Sequence, residues 1–163
     1  MKTLVLGLGN TLLQDEGVGV VAVNVLRARH GDSDELAFVD GGTLSFTLAG
    51  VIADAEALIV LDAAELGAAP GTVRCWLGEA MDRYLGSSRK RSVHEVGLLD
   101  LMALALLDDH LPQRRALIAV QPETIAWGES LSPAVAAAVA SMCEQTTQLI
   151  RQWQDRRTDL GEH

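Results

Sequence analysis

TLVLGLGNTLLQDEGVGV, Thr3 to Val20, contains the change of pattern that decides the fold. TLVLGL is a short, continuous apolar run ending at a Gly-Leu-Gly turn, as expected of a strand buried on both faces. An acidic pair, Asp15 and Glu16, follows the turn. From Gly17 onward Val20, Val21, Val23, Asn24 and Leu26 fall in helix-like order, and Gly31 is placed to end that helix as a C′ residue. A strand that gives way to a helix opens an α/β pattern. The acidic pair raises a separate question, because a nucleotide-binding turn at this place would present glycines and backbone amides.

The same alternation extends along the chain. LAFVD, from Leu36, reads as a second strand closing at Asp40 in the turn DGGT. LSFTLAGVIADA reads as a second helix, and ALIVLD, from Ala57, as a third strand ending at Asp62. After the turn Ala69-Pro70-Gly71, TVRCWL reads as a fourth strand and the polar LGSSRKRS as an exposed loop. HEVGLLDLMALALL, from His94, is a mostly apolar helix, and RALIAVQP is a fifth strand. In the last helix Ser132 is the cap and Pro133 fits the first turn. Val135, Val139, Met142, Thr146, Leu149, Ile150 and Trp153 share one face. These elements predict one α/β domain over residues 1–156, a three-layer α/β/α arrangement around a twisted, mostly parallel sheet of about five strands. Residues 157–163 read as a polar C-terminal tail, frayed after Arg156.

Composition narrows the partners. The 163 residues are 48% apolar and 21% charged, ordinary for a globular chain large enough to bury a core. A net charge of −9 argues against nucleic acid or an anionic membrane surface, both of which require positive potential. Cys75 and Cys143 lie far apart without a Cys-x-x-Cys spacing and read as buried thiols of a reducing compartment. The start MKTLVLGLGN lacks the pattern of a signal peptide, and no segment has the roughly 20 apolar residues of a membrane span. The expected location is the cytoplasm.

In open α/β sheets ligands bind beyond the carboxyl ends of the strands, near the point where strand order reverses. Glu16, Asp62 and His94 are predicted at that edge, with Asp40 ending the second strand in the same layer. Two carboxylates and an imidazole suit a borderline divalent metal and leave coordination positions open. Each residue also has a structural reading. Glu16 suits a helix's first turn, Asp62 and Asp40 suit turns, and His94 suits a helix start. Other chemistries find no motif. GLGNTL lacks the third glycine of the dinucleotide fingerprint, no Gly-Lys-Ser/Thr loop exists, and His94-Glu95 is followed by Leu98 where a zincin needs histidine.

GLGNTLLQDEGVGV, VDGGT, LIVLDA with PGTV, SVHEVGLLDLM and IAVQPE, in that order, resemble the hydrogenase maturation endopeptidases. The resemblance runs from Thr3 to the final helix. Family members often have proline before the histidine and glutamine after it, where this chain has Val93 and Glu95.

The resemblance implies a cytosolic endopeptidase that removes a C-terminal extension from the large-subunit precursor of nickel–iron hydrogenase after nickel insertion. It implies recognition of that nickel through Glu16, Asp62 and His94, and a substrate-positioning role for Asp40. On this reading the metal arrives with the substrate, and no tightly bound intrinsic metal is expected. Metal-assisted hydrolysis and general-base catalysis by a carboxylate both remain open. The alternative is a non-catalytic, nickel-recognising chaperone for the large subunit.

Overall fold

The computed structural model describes residues 2–42, 47–87 and 93–160, without the side chains of residues 93–96 and 158–160. Its strands are β1 (Thr3–Leu8), β2 (Leu36–Gly42), β3 (Ala57–Ala63), β4 (Val73–Leu77) and β5 (Arg114–Val120). Its helices are α1 (Val18–His30), α2 (Leu48–Ala53), α3 (Glu79–Gly86), α4 (Val93–Leu107) and α5 (Pro133–Leu160). A 3₁₀ turn, Gln14–Gly17, leads into α1.

The sheet order is β2-β1-β3-β5-β4, with β4 antiparallel to β5 and every other pairing parallel. Alternation along the strands sorts the core into two faces. Val5, Ile59, Leu61, Ile118 and Val120 pack with α1 and α5, while Leu4, Leu6, Leu58, Val60 and Leu117 pack with α2, α3 and α4. The result is the predicted three-layer α/β/α domain with a mostly parallel five-stranded sheet.

The structure departs from the sequence reading at three places. The stretch Glu79–Gly86, partly assigned above to a loop, is the helix α3. Met81, Tyr84 and Leu85 form its apolar stripe at helical spacing, but the helix is only eight residues long and its last two fall in the stretch read as a loop. Tertiary contacts hold it: Arg115 of β5 grips the Asp82 carboxylate with Nε and Nη2, and Tyr84 stacks on Trp76 at 3.9 Å. Ser88–Ser92, the rest of that predicted loop, lies outside the described residues. Cys75, expected to be buried, is exposed because it lies on the edge strand β4, one flank of which has no neighbour among the described residues. Cys143 is buried as expected, its thiol directed at the Ala22 carbonyl at 3.7 Å. Finally, α5 continues past Arg156 to Leu160, with Arg157 paired to Glu35 at 3.5 Å.

Two backbone approaches set the carboxyl edge of the sheet. A Cβ on Gly19 of α1 would lie 2.1 Å from the Leu61 carbonyl oxygen and 2.4 Å from that of Leu8. A Cβ on Gly9, where φ is 132°, would lie 1.8 Å from the Glu16 carbonyl oxygen. The first helix therefore seats directly on the ends of β1 and β3, and only glycine permits it.

Gly19→Ala is expected to lower stability by about 3 kcal/mol, because its obstacles are backbone atoms that cannot swing aside. That corresponds to a fall in Tm of roughly 10 °C. Gly50→Ala is the control, since a Cβ there meets nothing within 4 Å in α2. It is expected to raise stability by about 0.5 kcal/mol. Thermal melts of the two variants check both signs.

Candidate functional site

The chain leaves β1 for β2 on one side and leaves β3 for β4, beyond the position of β5, on the other. The neighbours β1 and β3 therefore form the switch point, and a crevice is expected beyond their carboxyl ends. Glu16 and Asp62 both belong to this edge. Glu16 is half-buried in the 3₁₀ turn that follows β1 and packs against β3. Asp62 is one residue beyond the Gly7–Leu61 register pair and only 2% exposed. Its Oδ1 accepts the Ala63 N–H at 2.8 Å, which fixes the plane of the carboxylate.

Asp40 stands exposed near the end of β2, opposite Gly7, and its Oδ1 accepts the Gly42 N–H at 2.9 Å in a local turn. His94 is the second residue of α4. That helix of 15 residues ends at Leu107, shortly before β5 begins at the amino edge of the sheet. A helix of this length rises about 22 Å, close to the span of the strands it packs on, so its first turn lies toward the carboxyl edge. The His94 imidazole lies outside the described residues. Among the described residues no three His, Cys, Asp or Glu side chains form a metal-holding group.

The acidic pair read from the sequence divides in the fold. Glu16 stays at the crevice, whereas Asp15 is 0% exposed and turns inward. Asp15 Oδ2 accepts the N–H groups of Glu123 and Thr124, both at 2.9 Å, and the Ser132 hydroxyl at 2.8 Å. Its Oδ1 accepts the Ser132 N–H at 2.7 Å. Burial alone would push this carboxyl up. The backbone donors Thr124, Ser132 and Glu123, with the Ser132 hydroxyl, outweigh burial and hold it below the ordinary carboxylate range.

Backbone pairing completes the clamp. Gln14 N–H donates to the Gly128 carbonyl at 2.8 Å, Gly128 N–H to that of Leu12 at 2.9 Å, and Asp15 N–H to that of Thr124 at 3.1 Å. Gln14 adopts φ 48°, a left-handed conformation rare outside glycine. The segment between β5 and α5 is thereby fastened to the turn that carries Glu16. On the other side of the edge, buried Gln121 holds the segment after β3, accepting the Leu66 N–H at 2.6 Å and donating to Glu65 at 3.1 Å. Sequence reasoning missed Asp15 and Gln121, because side chains that accept backbone N–H groups 108 and 55 positions away carry no local signal.

A surface cleft of about 540 Å³ opens at the opposite, amino edge, lined in part by Glu56, His110, Arg114 and Arg157. Its basic groups are engaged by the protein itself: Arg114 donates to the Trp153 carbonyl at 2.6 Å, His110 lies 3.2 Å from Asp108, and Arg157 lies 3.5 Å from Glu35. Chemistry is better placed at the carboxyl edge. Neither cysteine stands there.

A profile of the hydrogenase maturation protease family matches residues 20–149. The chain belongs to that family. The protease is 33% identical to the Escherichia coli hydrogenase 2 maturation protease over 153 residues, covering 93% of this chain and 92% of that one. It is 36% identical over 149 residues to the hydrogenase expression/formation protein HoxM of Cupriavidus necator, covering 91% of this chain and 73% of the relative. The fold matches the hydrogenase maturating endopeptidase HybD from E. coli with a TM-score of 0.86 at 33% identity, over 93% of both chains. The HybD maturation protease of Thermococcus kodakarensis matches with a TM-score of 0.78 at 30% identity, over 91% of this chain and 99% of that one. These relationships support an endopeptidase over a non-catalytic chaperone. Among the described residues of the protease no helix is long and apolar enough to cross a membrane.

Asp15→Ala is expected to cost at least about 3 kcal/mol at neutral pH, since it strands three backbone donors and a hydroxyl. Because the folded carboxyl is depressed, its stabilisation is complete above the unfolded value of about 3.9 and is lost as pH falls through the lower folded value. Urea unfolding across acid pH should therefore show the gap between wild type and variant closing as pH falls. A gap that stays constant contradicts the clamp.

Proposed function

We propose that this endopeptidase acts in the cytoplasm on the large-subunit precursor of nickel–iron hydrogenase, removing its C-terminal extension once nickel has been inserted. What supports the reading is that Glu16 and Asp62 belong to the segments ending β1 and β3, the neighbouring strands at the switch point. With the His94 imidazole the two carboxylates would supply a mixed oxygen and nitrogen donor set suited to a borderline divalent ion such as nickel. The substrate supplies that ion. Three protein ligands leave coordination positions for the substrate's own donors, so the protease binds a filled precursor more tightly than an empty one. Cleavage thereby becomes a checkpoint on metal insertion.

The attacking group on this reading is water. Cys143 is buried in α5 and Cys75 lies on the edge strand β4, so neither thiol reaches the crevice. Asp40, exposed in the same layer, positions the substrate chain. Nickel serves as the recognition element, and the isolated protease holds no metal of its own tightly.

Incubating the protease with nickel-loaded and nickel-free precursor, and following mass loss at the precursor C-terminus, tests the reading. Only loaded precursor should lose mass. Asp62→Asn should fold normally and process more than about 100-fold more slowly, because even outer-shell changes at metal sites cost 10- to 100-fold. His94→Ala should be equally impaired. Efficient cleavage of nickel-free precursor by the wild type overturns the checkpoint.

A further inference from the structure

The segment that Asp15 clamps to the candidate site carries an exposed apolar surface with no role so far. Trp127 is 79% exposed and Ile125 57%, both between β5 and α5. Leu12, 49% exposed, belongs to the turn after β1, and its carbonyl accepts the N–H of Gly128, the residue that follows Trp127. Leu13 and Gly128 form a parallel bridge. Three large apolar side chains thus stand on two paired segments. The clamp holds them in a fixed relation to Glu16, which is the next residue after Asp15.

Exposed tryptophan is costly in water, and aromatic anchors of this kind dominate binding energy where they become covered. The charges around the surface indicate what covers it. Glu123 and Glu129 flank Ile125 and Trp127 on the same segment, and both are exposed. Lysine and arginine are absent from residues 116–150, and the chain as a whole carries −9. An apolar surface with an acidic rim selects a peptide whose apolar side chains are accompanied by basic ones. We propose that Leu12, Ile125 and Trp127 dock the C-terminal segment of the protease's substrate, a peptide of mixed apolar and basic character. The proposal rests on the reading of the preceding subsection. The clamp gives the surface its purpose: it sets a fixed spacing between the peptide's anchor and the carboxylates at the crevice. A correctly placed scissile bond needs that spacing, since small displacements at a reacting centre cost much of the rate.

The test measures Kd for nickel-loaded precursor by titration, alongside cleavage rates at saturating and limiting precursor. Trp127→Ala should weaken binding about 10- to 30-fold and Ile125→Ala about 5-fold, in the range of interface anchors. Both should also lower the saturated rate, because a peptide without its anchor no longer holds the scissile bond in place, and both should leave Tm nearly unchanged. Leu107→Ala, at an 85% exposed residue ending α4 near the other edge of the sheet, should bind as wild type does. Glu129→Lys should weaken binding about 3-fold, a difference that disappears as salt is raised. An unchanged Kd for Trp127→Ala, or an equal loss for Leu107→Ala, overturns the docking surface while leaving the cleavage reading intact. Wild-type binding without cleavage, with the Trp127→Ala loss preserved, supports the surface and overturns the cleavage reading. No binding by the wild type overturns both.

Discussion

Burying an ionised carboxylate costs several kcal/mol unless its oxygens are well supplied with donors. Asp15 obtains its donors from one distant segment: the backbone of Glu123, Thr124 and Ser132, and the Ser132 hydroxyl. The bargain works in both directions. A loop between β5 and α5 with little apolar packing of its own acquires an acceptor for its inward-facing N–H groups, and the turn after β1 acquires a fixed wall. Charge-assisted hydrogen bonds are roughly twice as strong as neutral ones, so the contact can hold a long loop that propensity alone would leave loose. Adjacent residues of the 3₁₀ turn point in different directions, and anchoring Asp15 inward leaves Glu16 at the crevice.

The clamp acts on a frame that is already tight. Gly19 lets α1 rest on the carbonyls ending β1 and β3, and Gly9 lets the turn fold back over Glu16. Without these approaches the first helix would stand further off, and the 3₁₀ turn would no longer lie against β3. Parallel strands buried on both faces supply the rigid base, as the fully buried β1 and β3 illustrate. The chemistry thus sits on strand ends and short constrained turns, where small displacements are resisted.

Most of this architecture was legible in the sequence because it rests on local pattern. The continuous apolar runs of β1 and β3, and the one-sided stripe of α5, follow from periods of two and 3.6 residues that any window reveals. Helix α3 was missed because its stripe of Met81, Tyr84 and Leu85 spans barely two turns, and the Asp82–Arg115 pair that braces it is formed with distant β5. The exposed Cys75 was missed because strand order, which puts β4 at the sheet edge, is not written in a local run, although Arg74 already interrupts its apolar pattern. At the site, the positions of Glu16, Asp62 and Asp40 near strand ends followed from strand boundaries alone. The different fates of Asp15 and Glu16 did not. Both are acids at the start of a helix, and only the return of the chain after β5 distinguishes them.

The carboxyl edge is one mechanical unit, in which a single buried carboxylate joins the candidate catalytic turn to the segment bearing Ile125 and Trp127. Native-state hydrogen exchange measures that directly, comparing wild type with Asp15→Asn. An amide in place of the carboxylate presents a donor to donors, so the Glu123, Thr124 and Ser132 N–H groups should lose protection together with those of Gln14 and Gly128. Amides of β1 and β3 should keep theirs, because the sheet does not depend on the clamp. Protection at Glu123, Thr124 and Ser132 that survives the substitution unchanged would contradict the account.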